Sequence, residues 1–263
     1  MLDNIVQTGR AVTAIATNTF REAVRNKIFG ALLLFAGGVM AFSLVLGAMS
    51  LHNEVRVATD VTLFASTVFS VIITVYTSIT LLQSEIDRRT IYTILSKPVR
   101  RWQFVIGKFA GIVLLAAVVV IVLFGVSAGL RLYQGGDLPV AYAWAFVLIF
   151  CQLLIVAPIS LMFASFSSPL LSGLFTIGLF ILGHLHSQLE AVASFADIDL
   201  ADYLIEGLQV LIPNLASLNI ATEVVHGISV PATYLLHAGW YTVSYGSLVL
   251  TLAIAIFSFR DLT

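Results

Sequence analysis

Charge is what this sequence has least of. Only 10% of its 263 residues are Asp, Glu, Lys or Arg, while 59% are hydrophobic. Water-soluble domains carry roughly 25% charged residues, so a soluble globular fold is excluded. Cysteine is scarcer still. The single thiol, Cys151, lies in an apolar run and can form no internal disulfide, so its expected role is packing. A phosphate-binding loop is also missing. The Gly107-Lys108 pair has Trp102 where such a loop requires Gly, and Phe109 where it requires Ser or Thr. Any ATP chemistry is therefore expected in another subunit. None of the 13 basic and 14 acidic residues falls deep inside an apolar run, and Lys108 comes nearest, at the edge of one. Proton-coupled carriers and membrane-embedded hydrolases keep ionisable groups at mid-depth, so that absence weighs against both.

What is present is apolar sequence in long runs. Six of them approach the ~20 residues a bilayer requires: Ile28–Leu51, Val61–Leu82, Phe104–Leu130, Tyr142–Ser165, Leu170–Leu189 and His237–Phe259. The first is too long for the core of a cleaved signal peptide. The fifth thins out at His184 and His186, and only the Ser165–Pro169 turn separates it from the fourth. These runs predict an all-α polytopic membrane protein with six transmembrane helices in a single domain, residues 1–263. With the N-terminus in the cytoplasm, the inner side collects Arg10, Arg21, Arg25, Lys27, Arg88, Arg89, Lys97, Arg100, Arg101, Lys108 and Arg260, and the outer side keeps Arg56 and Arg131. The positive-inside rule selects that orientation, with both termini cytoplasmic.

Two segments outside the runs carry helical patterns. Near the N-terminus, Thr19 and Glu22 have capping-box spacing. Phe20, Val24 and Ile28 then recur every fourth residue, which predicts a helix lying in the membrane interface. Between spans five and six, Glu190–Leu236 is acidic yet apolar on one face. Leu200, Leu204, Leu208 and Leu211 fall at helical spacing before Pro213-Asn214 breaks the pattern. A helix, a break and a second short helix, packed on or partly into the outer face, are expected there.

The chain is organised around Ser84–Lys108, a polar interruption between the second and third runs. Its basic residues place it in the cytoplasm. Residues Thr90 to Ser96 predict a short helix with Ile91, Ile94 and Leu95 on one face and Lys97-Pro98 as its stop. An apolar helix face held outside the membrane needs a partner, and the candidate docking residues are Glu85, Asp87, Arg88, Arg89, Thr90, Ile91, Ile94, Leu95, Lys97, Pro98, Arg100 and Arg101. Glu85 and Arg89, at i and i+4, are expected to brace the preceding helix.

The run from Glu85 to Lys108 resembles the first cytoplasmic loop of ABC-2 type transporter permeases. The shared features are an acidic and Arg cluster, a Thr opening a short helix, a Lys-Pro stop, Arg, and Gly-Lys leading into the third span. The chain has Arg89-Thr90 where many members have Gly-Thr. The segments TFREAVRNKIF at Thr19–Phe29, IPNLASLNI at Ile212–Ile220 and FSFRD at Phe257–Asp261 are similar to the branch serving nitrous oxide reductase maturation. The resemblance implies a permease in the bacterial inner membrane that exports its substrate. It implies two six-span copies, a homodimer, worked by separate cytoplasmic ATPase subunits. ATP and Mg would then bind in the ATPase, leaving no cofactor in this chain. The partners implied are that ATPase, a second permease copy and the lipid bilayer, with no nucleic acid. The rivals are a carrier or channel active alone and a membrane scaffold that anchors an ATPase; the substrate and the accessory partners are left open.

Two further features carry expectations. Gly107-x-x-x-Gly111 and Gly125-x-x-x-Gly129 lie on related faces of the third run and predict close helix packing, within the subunit or against a second copy. His184, His186 and Glu190 cluster at the end of the fifth. Only His186 and Glu190 share a helix face, too few for a metal site, so interfacial imidazoles are expected and no metal is assigned.

Overall fold

The computed structural model describes residues 2–50, 53–87, 100–186, 212–228 and 230–259. Helix α1 covers Leu2–Arg25, α2 Lys27–Ala48, α3 Glu54–Asp87, α4 Arg101–Tyr133, α5 Val140–Ala164, α6 Pro169–His184, α7 Ala221–His226 and α8 Ala232–Phe259. A single 3-10 turn, Ala216–Leu218, precedes α7. Every element among the described residues is helical. Five helices, α2, α3, α4, α5 and α8, are long and apolar enough to cross a membrane, while α6 is apolar with 16 residues.

Helices α3 and α4 overrun their apolar runs at both ends. Helix α3 begins at Glu54, seven residues before the run at Val61, and its charged first turns read as loop in the sequence. At the N-terminus the difference is larger. Helix α1 runs unbroken through Thr19, which is therefore not a cap; its side chain is buried at 1% exposure. The cap lies at Asn26, whose side chain accepts from the Ile28 N–H at 2.9 Å and starts α2 there. Short-range cap spacing lost to tertiary packing at Thr19.

Helices α3 and α5 form the centre of the bundle. Helix α5 packs on α3, α4, α6 and α8, while α2 packs mainly on α3, with lesser contact to α4 and α1. One face of α3 presents Thr59, Thr62, Ser66, Ser70, Thr74, Thr77 and Ser78 to the interior. Several of these hydroxyls donate to carbonyls one turn back on their own helix, as Ser66 does to Thr62 at 2.6 Å and Ser78 to Thr74 at 2.7 Å. Small hydroxyl residues satisfied in this way let neighbouring helices approach closely. In contrast, Leu34, Phe35, Leu170, Leu174, Trp240 and Phe259 point out of the bundle, where a lipid-facing surface is apolar by necessity.

Candidate functional site

Two polar constellations stand out against this apolar background, one at each end of the bundle. The first lies where α3 ends and α4 begins, at the basic end. Lys108, in the second turn of α4, is 1% exposed. Its Nζ stands 2.6 Å from Glu85 Oε1 and donates to the Leu81 carbonyl at 3.2 Å, both on the last turns of α3. The Phe104 ring lies beneath the ammonium, with its centroid 5.7 Å away. A buried ammonium is tolerable only when paired and hydrogen-bonded, and here both conditions are met. Phe104 in turn stacks on Phe257 of α8 at 5.6 Å.

Further ties close the same end. Gln83 donates to the Ser167 carbonyl at 2.8 Å, joining α3 to the turn between α5 and α6. Gln103 accepts from the Arg100 N–H at 2.9 Å and donates to Thr8 on α1 at 3.0 Å. Arg101 donates to the Ser258 carbonyl at 2.8 Å, satisfying one of the carbonyls that a helix C-terminus leaves open. Helix α1 completes the arrangement by lying on the Gly107-x-x-x-Gly111 face of α4. A Cβ on Gly107 would come within 2.7 Å of Ile15, and one on Gly111 within 2.6 Å of Thr19 and 2.7 Å of the Ala16 carbonyl. The close packing expected at this glycine pair is present within the subunit, against the N-terminal helix. At Gly125 and Gly129 a Cβ would meet nothing within 4 Å.

Of the docking residues expected from the sequence, Arg88, Arg89, Thr90, Ile91, Ile94, Leu95, Lys97 and Pro98 lie outside the described residues. Asp87 is the last residue of α3, and Arg100, exposed, precedes α4. Glu85 is tied inward to Lys108, an interaction between residues 23 apart that helical spacing does not reveal. Lys108 is the functional candidate that sequence reasoning left at the margin. An isolated Lys in an apolar run is the signal that pointed to it.

The second constellation lies toward the acidic end. Residues Ile212–Ile220 enter the bundle as largely irregular backbone around the Ala216–Leu218 3-10 turn, between α3, α5 and α6. Leu215 is 0% exposed, and Ile212, Leu218 and Ile220 are buried with it. Such backbone survives at membrane depth only when protein surrounds it and satisfies its polar groups. Gln152, midway along α5, donates to the Leu215 carbonyl at 3.1 Å. The Leu215 N–H reaches the Gly183 carbonyl at 3.0 Å, and the Asn214 N–H reaches the Tyr241 hydroxyl at 2.8 Å. Tyr234 donates to the Ser217 carbonyl. Gly183 is required here, because a Cβ would stand 2.6 Å from the Pro213 carbonyl.

A break at Pro213-Asn214 and a second short helix, α7, are present, and Ile212–Ile220 takes the deeper of the two placements expected, inserted into the bundle. The Leu200–Leu211 repeat lies outside the described residues. His184 turns onto α5, with its Nε2 3.3 Å from Gln152 Nε2, its Nδ1 3.1 Å from the Phe180 carbonyl and its ring 4.4 Å from Phe180. Donation from Nδ1–H to Phe180 leaves Nε2 as the acceptor for the second Gln152 amide hydrogen. No group of three or more His, Cys, Asp or Glu side chains suited to a metal occurs among the described residues, and Glu190 lies outside them.

A family model described as ABC-2 family transporter protein matches residues 13–261, nearly the whole chain. No curated protein matches it.

Proposed function

The chain belongs to the ABC-2 family transporter proteins, multi-pass membrane permeases, and from that premise we propose that it is a six-span half-transporter driven by a separate cytoplasmic ATPase. The family match over residues 13–261 carries the reading. In this reading α6 is the fifth span, both termini face the cytoplasm and residues 1–263 form one transmembrane domain. Two copies build the pathway in a bacterial inner membrane and export a substrate, and ATP and Mg bind in the ATPase. The similarity of Thr19–Phe29, Ile212–Ile220 and Phe257–Asp261 to the nitrous-oxide-reductase-maturation branch supports placing the chain near it. The segment between α3 and α4 docks on the ATPase. Ile91, Ile94 and Leu95 supply the apolar contact, with Asp87, Arg88, Arg89 and Arg100 around it. The eleven-to-two excess of basic residues on that side supports the orientation.

Two experiments test this. With Cys151 replaced by Ser, single cysteines at Ser167 and Glu223 should label with impermeant reagent from opposite sides of the membrane; labelling from one side refutes the topology. The double change Ile91→Asp with Ile94→Asp should leave a folded membrane protein that no longer co-purifies with its ATPase or stimulates ATP hydrolysis. Normal binding by that variant would move the docking site elsewhere.

A further inference from the structure

We propose that Lys108 is a positioning residue for coupling: with Glu85 it clasps the base of the loop between α3 and α4, so that displacement of the loop moves both helices as one body. This deepens the reading of the chain as an ATPase-driven permease and rests on it. Lys108 acts through Glu85, Leu81 and Phe104 of its own chain. It is buried at 1% exposure.

The geometry makes the clasp specific. Glu85 stands two residues before α3 ends, and Lys108 stands in the second turn of the returning helix. One ammonium therefore bridges the helix entering the loop and the helix leaving it. Separating them strands an ammonium and a carboxylate in an apolar setting, which is far costlier than sliding any apolar pair apart. The same point is bonded to the rest of the basic end. Gly107, the neighbour of Lys108, lies against Ile15 of α1, and Phe104, under the ammonium, stacks on Phe257 of α8. A push on the loop is thereby delivered to α1, α3, α4 and α8 together. An apolar residue at position 108 would fill the space and lose the bridge.

The test uses the full chain in nanodiscs, alone and with its ATPase. Lys108→Met should bind the ATPase as the wild type does while its stimulation of ATP hydrolysis falls about tenfold, in the range of measured site-to-site couplings. Exchanging the pair, Glu85→Lys with Lys108→Glu, should restore most of the stimulation, which a purely volumetric role would not. A measurement without the ATPase uses spin labels at Ser84 and Trp102, where the distance distribution should broaden in Lys108→Met and narrow again in the exchange. Wild-type stimulation by Lys108→Met overturns the proposal, as does an exchange variant that folds and binds yet fails to stimulate. Should Lys108→Met not fold, the exchange variant decides alone. If the wild-type chain binds no ATPase, the functional reading falls, and an unchanged label distribution in Lys108→Met would then overturn the clasp separately.

Discussion

The two ends of the bundle are held closed by different kinds of contact. At the basic end, α1 lies in the notch made by Gly107 and Gly111, and Lys108 joins α4 to α3 through charge. At the acidic end the corresponding glycines of α4, Gly125 and Gly129, are bare. Arg131, one of the two basic residues on that side, is held by neutral groups: it donates to the Thr59 hydroxyl and to the Asp137 carbonyl at 2.6 Å, and lies over the Tyr142 ring at 5.2 Å. Closure of that end depends on Ile212–Ile220, tied by one hydrogen bond each to α5 and α6 and by two to α8. One end is braced helix against helix. The other is plugged by a segment of mostly irregular backbone. That asymmetry fits the proposed function, in which a stiff end receives force and the contacts of the other end exchange.

The glycine pairs give the sharpest test of the comparison. Gly111→Leu drives a side chain into Thr19 and the Ala16 carbonyl, and backbone cannot swing aside as a side chain can. The expected loss is about 3 kcal/mol or more, at the upper end of overpacking costs, read as a fall in melting temperature or as failure to accumulate in the membrane. Gly125→Leu should leave the stability of the single subunit unchanged. Any effect it has should appear in the association of two copies, measured by crosslinking yield. Equal destabilisation by both changes would erase the distinction between the ends.

A second test acts on the plug. Gly183→Ala places a methyl 2.6 Å from the Pro213 carbonyl and 2.9 Å from Leu215 Cγ. Helix propensity favours alanine by about 1 kcal/mol, yet the clash should outweigh it and leave a net loss of about 1–2 kcal/mol. The melting temperature should drop, and proteolysis between Ile212 and Ile228 should speed up. A stabilised Gly183→Ala protein would mean that the segment does not sit against α6.

Much of this architecture is legible in the sequence because membrane spans announce themselves by length and apolarity. The runs at Ile28, Val61, Phe104, Tyr142 and His237 each became a crossing-length helix. Their ends are less legible, since charged turns such as Glu54–Asp60 read as loop although the helix continues through them. Pairings across the chain are not legible at all. Lys108 shows itself as a misplaced charge, but nothing local names Glu85 as its partner, and the Arg89 that the i, i+4 rule pairs with Glu85 lies outside the described residues. Similarly, Pro213-Asn214 marks a break without saying that the break is buried. The hydroxyl stripe on α3 was readable in principle: Thr59, Thr62, Ser66, Ser70, Thr74 and Thr77 recur at helical spacing. It was passed over because it interrupts a run whose average is apolar.

The smallest expected effect isolates one tie of the plug. Tyr241 accepts the Asn214 N–H at 2.8 Å at the point where the chain turns into the bundle. Tyr241→Phe keeps the ring and its stacking on Tyr245, 5.9 Å away, but leaves that amide without its acceptor. Losing one hydrogen bond of this kind costs about 1 kcal/mol, too little to unfold the protein. Amide hydrogen exchange at Asn214 to Ser217 should accelerate about fivefold, the factor corresponding to about 1 kcal/mol, while exchange around Lys108 stays as in the wild type. The locality is the informative part. If exchange rises at Lys108 as well, the two ends are coupled through the bundle even without ATP, and the contrast between a stiff end and a releasable one does not hold.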